Sequence, residues 1–246
     1  MIPVSCEQSN DRATTSEYEE YVRTEWSLFV DDPRRAQMSL EVVPARSVSC
    51  VLDVGCGAGQ ELLPYASGAC CVGVDLSPEV GIVGRKLFRE MNAGERVAFA
   101  RATAEALPFR TDSFDAVICR LALPYTDNAR ALAEIARVLK SDGTFLLKIH
   151  HARYYLRKFW RGLVGFDLMS TVHAARVIAA GLVYHTTGKQ VRVRLLSPET
   201  FQTEWLLKRE LARLGLAIAQ ELPDSNPFTP VFLIRTSGNQ VRNDRL

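Results

Sequence analysis

Apolar and polar positions along the chain follow two different periods. Short apolar runs rich in β-branched and aromatic residues predict strands, and the longer segments between them repeat their apolar residues every three or four positions, as helices do. Strands that alternate with helices in this way are typical of a parallel sheet with crossover helices. The sequence therefore predicts five strands, at residues 50–54, 71–75, 97–101, 115–120 and 144–150.

Three segments carry the helical period most clearly. The first helix is expected at residues 16–30, and the second, in "ARALAEIARVLKSDG", is expected to end at a Ser-Asp-Gly turn at residues 141–143. The third is expected to begin with Ser197 as its cap and Pro198 in its first turn, and to end at Gly215. Their apolar stripes are Tyr18, Tyr21, Val22, Trp26 and Phe29, then Leu132, Ile135 and Leu139, then Leu207, Leu211 and Leu214.

Two apolar runs near the end of the chain predict a hairpin. The runs are "LAIAQELP" and "VFLIRTS", and they flank "DSNPFTP", whose prolines and asparagine favour a reversal of the chain. The predicted sheet therefore ends with one antiparallel strand.

Composition narrows the class of protein. With 246 residues, 47% of them hydrophobic and 24% charged, the chain is long enough for one α/β domain with a full core. A net charge of +2 does not suggest a nucleic-acid partner, and neither a signal peptide nor a run of 18 apolar residues is present, so a cytoplasmic location is expected. The six cysteines lack CxxC spacing and are expected to be buried, reduced thiols without a metal: Cys6, Cys50, Cys56, Cys70, Cys71 and Cys119.

The stretch "VLDVGCGAGQ", residues 51–60, predicts a strand followed by a glycine-rich loop. Glycines permit positive φ and a close approach of the backbone to a ligand at the carboxyl end of a parallel strand. A nicotinamide dinucleotide site would need G-x-G-x-x-G, but position 60 is glutamine. Asp75 ends the second strand, 20 residues after Gly55, where a carboxylate can accept both hydroxyls of a ribose.

Four motifs together resemble those of class I S-adenosylmethionine-dependent methyltransferases of the methyltransferase type 11 kind. They are "LDVGCGAGQ", "VGVDLSPE", "ATAEALPFRTDSFDAVICR" and "EIARVLKSDGTFLL", and they cover residues 51–150 in the order and spacing of that family. The resemblance implies S-adenosylmethionine as cofactor. It also implies an α/β, Rossmann-like, doubly wound seven-stranded sheet whose last strand is antiparallel, with a helical lid inserted after the fifth strand.

The resemblance assigns cofactor-binding roles to particular positions. The glycine loop would pass under the methionine and ribose, Asp53 would order that loop, Asp75 would bind the ribose, and Leu76 would pack on the adenine. Thr103 departs from the family pattern, because an aspartate often stands there, and its oxygen would accept the adenine hydrogen bond more weakly than a carboxylate. The full set of expected cofactor-binding residues is Asp53, Gly55, Cys56, Gly57, Gly59, Asp75, Leu76, Thr103, Ala104, Glu105, Arg120, Leu121, Tyr21 and Trp26.

An oxygen nucleophile would need its proton removed, and two histidines end the fifth predicted strand. Either His150 or His151 is a candidate for the general base, and Tyr125 is a weaker candidate. A histidine that forms hydrogen bonds at a strand end without a catalytic role is the alternative interpretation.

Residues 152–194 form an insertion between the fifth strand and the last predicted helix. This insertion holds eight basic residues and one acid, a net charge of +7, and aromatic residues interleave with the basic ones. It is expected to be a lid over the acceptor, closing together with the acidic first helix, and to contact an anionic small molecule, a lipid surface through residues 153–161, or RNA. A solvated helical cover is the alternative. The predicted layout is a helical cap at 1–48, a cofactor-binding core at 49–151, the insertion, and a final helix and hairpin at 195–246.

These patterns predict a methyltransferase that acts on a small molecule, on oxygen rather than nitrogen. An exocyclic amine of DNA is disfavoured because Arg120-Leu121-Ala122-Leu123 stands where such enzymes carry Asn/Asp-Pro-Pro-Tyr. Three alternatives stay open: an RNA methyltransferase, an enzyme for lipid or lipid-linked substrates, and a catalytically silent protein that binds the cofactor. The sequence does not identify the acceptor or the oligomeric state.

Overall fold

The structure is a computed structural model that describes residues 8–190, 199–224 and 226–238. The chain divides into two compact units, the first ending at Arg101 and the second beginning at Ala102. The predicted boundaries of cap, core, insertion and terminal segment stay predictions.

Seven strands form one sheet in the order β3-β2-β1-β4-β5-β7-β6. Strand β7 is antiparallel to both of its neighbours, and the neighbouring pairs β1–β2, β2–β3 and β4–β5 are parallel. The predicted Rossmann-like α/β sheet with its last strand antiparallel is therefore confirmed. The strands are β1 (Cys50–Val54), β2 (Cys70–Asp75), β3 (Val97–Arg101), β4 (Phe114–Arg120), β5 (Leu139–Lys148), β6 (Leu216–Leu222) and β7 (Val231–Thr236).

The first unit contains β1 to β3 and three helices: α1 (Gln8–Asp31), α2 (Pro33–Val42) and α3 (Ile82–Glu90). Val22, Trp26 and Phe29 of α1 are buried, as expected for its apolar stripe. Tyr21 is 61% exposed, so its placement on the buried stripe was wrong. The stripe follows the i, i+4, i+7 positions that start at Val22, and the preceding residue lies about 100° away around the helix.

The second unit contains β4 to β7 and four helices: α4 (Asn128–Val138), α5 (Ala152–Val164), α6 (Leu168–Thr187) and α7 (Glu204–Arg213). Helices α5 and α6 form a hairpin after the fifth strand, in the position predicted for a helical insertion. A side-chain Cβ at Gly162 would lie 2.5 Å from the hydroxyl oxygen of Thr171, so glycine permits the close packing of these two helices. In the described part of the chain, no helix combines the length and apolar composition needed to cross a bilayer.

The junction between α4 and β5 differs from the prediction. Leu139 was expected on the helix and residues 141–143 in a turn, but Leu139 begins β5. Leu139 is the register partner of Phe114, and Thr144 is the partner of Ala116, so the residues between them form a bulge within the strand. Leu139 is buried in either arrangement, and the apolar pattern therefore did not distinguish helix from strand.

The start of α7 also differs. Thr203 is the N-cap, and its side chain accepts a hydrogen bond from the Leu206 amide at 3.3 Å, so the predicted helix start near Ser197 was wrong. Ser197 and Pro198 themselves lie outside the described residues.

The cysteines are less uniformly buried than expected. Cys56, Cys71 and Cys119 are buried, Cys50 is half-buried and Cys70 is exposed. The prediction was wrong for Cys70, which begins β2 and has its side chain in solvent. All five are free thiols, and Cys6 lies outside the described residues.

Candidate functional site

In the glycine-rich loop after β1, every second residue from 55 to 59 has a left-handed backbone conformation. The φ angles of Gly55, Gly57 and Gly59 are 73°, 54° and 80°, values that residues with a Cβ adopt at a cost. The amides of Gly55 and Cys56 both donate to the carbonyl of Val74 in β2, at 2.7 and 3.0 Å. The loop is therefore held tightly against the neighbouring strand.

The glycines of this loop serve different purposes. A Cβ on Gly59 would lie 2.8 Å from the ring of Phe99, so packing alone requires glycine there. Among the residues that the structure describes, a Cβ on Gly57 would meet only a methyl group of Val22, at 3.4 Å, which is near ordinary contact. The left-handed turn, rather than crowding, therefore explains glycine at position 57 and leaves its outer face open for a ligand.

Asp75, at the carboxyl end of β2, holds the loop through its side chain. Its Oδ2 accepts from the Gly57 amide at 3.0 Å, and its Oδ1 accepts from the Ser77 amide at 3.0 Å. Each carboxylate oxygen has a further lone pair, so both can also accept from hydroxyl groups of a ligand. The predicted loop residues and the predicted ribose-binding acid are thus joined by a direct hydrogen bond.

Two exposed side chains of the first unit stand beside this acid. Leu76 follows Asp75 directly and is 63% exposed, so its side chain is available for a flat group to pack on. The pKa of Tyr21 is raised, first by desolvation of its hydroxyl and then by Glu25 and Asp75. Although Tyr21 does not belong to the buried stripe, its hydroxyl lies within electrostatic reach of Asp75.

The remaining residues expected to bind cofactor in the first unit are buried. Asp53 and Cys56 are almost fully enclosed. Burial raises the pKa of the Cys56 thiol far above its usual value, and the Asp53 and Asp75 carboxylates raise it further. This thiol is neutral at physiological pH and is not a nucleophile. Trp26 packs edge-on against Phe88 at 5.0 Å between ring centroids, so it supports the loop from the core.

Three residues predicted to bind the cofactor follow β3, at the start of the second unit. Thr103 is exposed and Ala104 is half-buried. Glu105 accepts a hydrogen bond from the Asp127 amide at 2.7 Å, which ties it to the N-cap of α4. This bond gives Glu105 a structural role in addition to any contact with a ligand.

Arg120 and Leu121 end β4 in unusual surroundings. The Arg120 side chain is 5% exposed, and its guanidinium lies 3.6 Å from a carboxylate oxygen of Asp224. Lys148 shares that oxygen at 2.8 Å. Leu121 has a φ of 63°, a left-handed conformation that costs a leucine about 1 to 3 kcal/mol and that clusters at functional sites.

His150 is the better placed of the two candidate bases. Its Nδ1 lies 3.2 Å from the hydroxyl of Tyr155, which donates to Oε1 of Glu199 at 2.5 Å. The ring of Tyr154 stacks on the His150 imidazole with centroids 4.6 Å apart. Desolvation lowers the pKa of His150 to about 4, although Glu199 acts in the opposite direction.

His151 has a structural role instead. It is the N-cap of α5, and its Nδ1 accepts from the Arg153 amide at 3.2 Å. Desolvation, followed by the Arg153 charge, lowers the pKa of His151. The pKa of the Tyr155 hydroxyl is raised first by desolvation and then by Glu199, and the exposed Tyr125 adds a smaller effect in the same direction.

The sequence prediction missed the carboxylate at the centre of this cluster. Glu199 is 4% exposed, and besides Tyr155 it contacts His173 at 3.2 Å and Arg176 at 3.9 Å. Desolvation lowers the pKa of His173, while Glu199 opposes that effect. These residues come from α5, α6 and the segment before α7, so no local spacing signals their convergence.

A pocket of about 640 Å³ lies among α5, the start of α6 and residues 226–228, and it adjoins the same cluster through Tyr154. Tyr154 both stacks on His150 and lines this pocket. The guanidinium of Arg157 lies 4.9 Å over the Phe228 ring, a cation–π contact that holds it in place. The lining residues are Tyr154, Arg157, Lys158, Arg161, Gly162, Asp167, Ser170, Asn226, Pro227 and Phe228. The pocket is therefore basic and partly aromatic.

The part of the chain that holds the cofactor motifs is similar to known proteins. Residues 52–147 match the family model described as a methyltransferase domain. Over 119 residues the chain is 41% identical to the uncharacterized methyltransferase YcgJ of Bacillus subtilis, a match that covers 47% of this chain and 46% of that protein. Over 105 residues it is 33% identical to the sterol 4-C-methyltransferase strm-1 of Caenorhabditis elegans, covering 42% of this chain and 31% of that protein. The chain thus spans less than half of the length of these curated relatives.

The fold comparison extends further along the chain. The crystal structure of YcgJ from Bacillus subtilis aligns with a TM-score of 0.53 and 25% identity, covering 80% of this chain and 95% of that one. The alignment therefore includes more than the residues that match the family model.

Proposed function

We propose that this chain, which carries a class I S-adenosylmethionine-dependent methyltransferase domain, transfers a methyl group from S-adenosylmethionine to an acidic hydroxyl of a small anionic acceptor. The hydrogen bond between Asp75 and the Gly57 amide carries the cofactor assignment, because it joins a ribose-binding acid to an open, left-handed glycine turn. The absence of G-x-G-x-x-G disfavours a dinucleotide.

The first unit would hold the nucleoside part of the cofactor. Asp75 would accept the ribose hydroxyls through its remaining lone pairs, Leu76 would pack on the adenine, and Tyr21 would border the same face. The backbone of residues 55–59 would lie against the cofactor because no side chain projects from Gly57. In the second unit, Thr103, Ala104 and the strained Leu121 would make the contacts that the family resemblance assigns to them.

Bound S-adenosylmethionine supplies a methyl group that its positively charged sulfur has already activated. The protein must hold the acceptor in line and exclude water, and such positioning can contribute roughly 7 to 11 kcal/mol. An oxygen acceptor must also lose a proton.

His150 is the group that would take this proton. The single proton of the Tyr155 hydroxyl is donated to Glu199, so the Tyr155 oxygen accepts from Nδ1–H of His150. In the neutral ring this arrangement leaves Nε2 unprotonated and able to accept a proton. Tyr155 and Glu199 are positioning residues that select the tautomer of the base.

The low pKa of His150 restricts the acceptor. A base with a pKa of about 4 is neutral throughout the physiological range, but it takes protons efficiently only from an acidic group. A phenolic or enolic hydroxyl therefore fits better than an aliphatic alcohol.

The basic pocket supports an anionic acceptor of small size. Arg157, Lys158 and Arg161 line it, and its volume of about 640 Å³ falls within the usual range for small-molecule sites. Tyr154 connects the pocket with the proposed base, because its side chain lines the pocket and its ring stacks on His150. Transfer to a carbon next to such a hydroxyl is a second candidate, favoured by the similarity to a protein named as a sterol 4-C-methyltransferase.

The proposal is tested with methyl-labelled S-adenosylmethionine and three matched acceptor sets: phenolic carboxylates, uncharged phenols and aliphatic hydroxy acids. Label is expected in the phenolic carboxylates, and product analysis distinguishes oxygen from carbon as the methylated atom. Labelling of RNA alone, or of aliphatic hydroxy acids in preference to phenols, would contradict the proposal.

A further inference from the structure

The turn between α5 and α6 exposes an unusual amount of apolar surface. Every residue from 163 to 169, a segment we term the hairpin tip, is exposed to solvent. Phe166 is 96% exposed and Met169 is 83% exposed. The other apolar side chains of the hairpin tip, each at least half exposed, are Leu163, Val164 and Leu168. Single exposed apolar residues are common, but a contiguous group of five marks an interaction surface.

The backbone of the hairpin tip favours this exposure. Phe166 has a φ of 56°, a left-handed conformation that is unfavourable for a residue with a bulky side chain. The Asp167 amide donates to the Gly162 carbonyl at 2.8 Å, and Asp167 caps α6 by accepting from the Ser170 amide at 3.0 Å. These bonds close the turn and leave the Phe166 ring in solvent.

Positive charge extends along α5, the helix that leads to the hairpin tip. Arg153, Arg157, Lys158 and Arg161 all belong to α5, and Asp167 is the only acid among residues 152–190. The Asp167 carboxylate is partly offset because it caps the positive end of α6. Trp160, which is 60% exposed, lies on the same helix between Lys158 and Arg161.

We infer that the hairpin tip inserts into the interfacial layer of an anionic phospholipid membrane while the basic residues of α5 contact its headgroups. An interfacial anchor combines exposed apolar residues with a neighbouring tryptophan and nearby lysines or arginines. Residues 153–169 show this combination. A groove for a partner helix would instead need a concave apolar face, whereas these side chains are exposed on a turn. This inference does not rest on methyl transfer, and it moves the predicted lipid contact from residues 153–161 to residues 163–169.

The test is flotation of the full chain with vesicles of phosphatidylcholine alone or mixed with phosphatidylglycerol. We expect binding to the mixed vesicles at low salt, with a marked loss at high salt. Phe166→Asp is expected to reduce binding at least tenfold. Because the Phe166 side chain is almost fully exposed, the melting temperature should not change. Leu182→Asp, which alters an exposed leucine of the same helix pair far from the hairpin tip, is the matched control and should bind as the unaltered chain does.

A second pair of variants tests the charge contribution separately. Arg153→Gln and Arg161→Gln are each expected to weaken binding roughly fivefold and to flatten its salt dependence. The inference is wrong if the unaltered chain does not float with the mixed vesicles, or if Phe166→Asp binds as well as Leu182→Asp. It is also wrong if the unaltered chain is a dimer that does not bind vesicles and Phe166→Asp is a monomer. The hairpin tip would then be a contact between two copies of the chain.

Discussion

The hydroxyl of Tyr155 donates a 2.5 Å hydrogen bond to Oε1 of Glu199, and both side chains are buried. Because a phenol has one proton, this bond leaves the Tyr155 oxygen able only to accept from its other neighbour, His150. The Tyr155 oxygen must accept from Nδ1 of His150, which leaves Nε2 of that ring as a base. A catalytic role for His150 therefore depends on a carboxylate almost fifty positions later in the sequence.

Replacing Tyr155 with phenylalanine should separate positioning from packing. Tyr155→Phe keeps the ring, but it removes the donor to Glu199 and the acceptor for His150. A loss of about 1 to 3 kcal/mol in the free energy of unfolding is expected, because a buried carboxylate oxygen loses its partner. Turnover should fall while S-adenosylhomocysteine affinity is unchanged. Phe201→Leu alters an aromatic residue of the same hydrophobic cluster and is the control for packing. The pH dependence of its turnover should match that of the unaltered chain.

Replacing His150 with glutamine should remove the proton acceptor itself. Turnover of a hydroxyl acceptor is expected to fall roughly 10²- to 10⁴-fold, the usual contribution of general base catalysis. In the unaltered protein the base is active when unprotonated, so its rate should fall only as pH drops toward about 4. His151→Gln is the matched control, since its ring caps a helix. If His151→Gln lost as much turnover as His150→Gln, the assignment of the base would be wrong.

The same histidine predicts a pH dependence of stability. Its pKa in the folded protein, about 4, lies below the unfolded value of 6.5, so the unfolded chain binds the proton more readily. The stabilisation is fully present above pH 6.5 and is lost as pH falls from 6.5 to 4, by up to about 3 kcal/mol. Urea unfolding at pH 7.5 and pH 5 should show a smaller difference for His150→Gln than for the unaltered chain. Equal differences would mean that this histidine titrates normally.

Local patterns predicted the first unit well because its determinants are local. An apolar run followed by alternating glycines specifies β1 and its loop, and Asp75 lies at a fixed distance along the chain. The first unit still contains two errors, the stripe position of Tyr21 and the burial of Cys70. The larger failures lie in the second unit, and each has a physical cause. Leu139 is buried whether it ends a helix or begins a strand, and by residue type Thr203 and Ser197 are both suitable caps, so the sequence alone did not choose between them. The Glu199 cluster joins residues far apart in sequence, so only the folded chain brings them together.

The glycine loop predicts a contrast between two substitutions of the same kind. Gly59→Ala places a Cβ 2.8 Å from the Phe99 ring at a φ of 80°, and it should lower the free energy of unfolding by about 2 kcal/mol or more. Gly68→Ala meets nothing within 4 Å and should be neutral or slightly stabilising. Thermal unfolding measures both. If the Gly59→Ala protein were as stable as Gly68→Ala, the Phe99 ring would be able to move away from the new methyl group at little energetic cost.

Asp75→Ala should weaken S-adenosylhomocysteine binding by about 1 to 3 kcal/mol, because the ribose hydroxyls lose a charged acceptor. The same change frees the Gly57 and Ser77 amides, so Asp75→Asn, which keeps one acceptor oxygen, should bind with intermediate affinity. Glu90→Ala alters an exposed acid in the same unit and serves as the control. If Asp75→Ala and Glu90→Ala bound S-adenosylhomocysteine with equal affinity, Asp75 would support the loop without contacting the cofactor.

Titration calorimetry of the unaltered chain with S-adenosylhomocysteine, in parallel with NAD, tests the central claim most directly. We predict saturable binding of S-adenosylhomocysteine at one site per chain and a matching rise in melting temperature, with neither effect from NAD. The reasons are the open turn at Gly57, the acid at Asp75 and the glutamine at position 60. Binding of NAD without binding of S-adenosylhomocysteine would contradict the account.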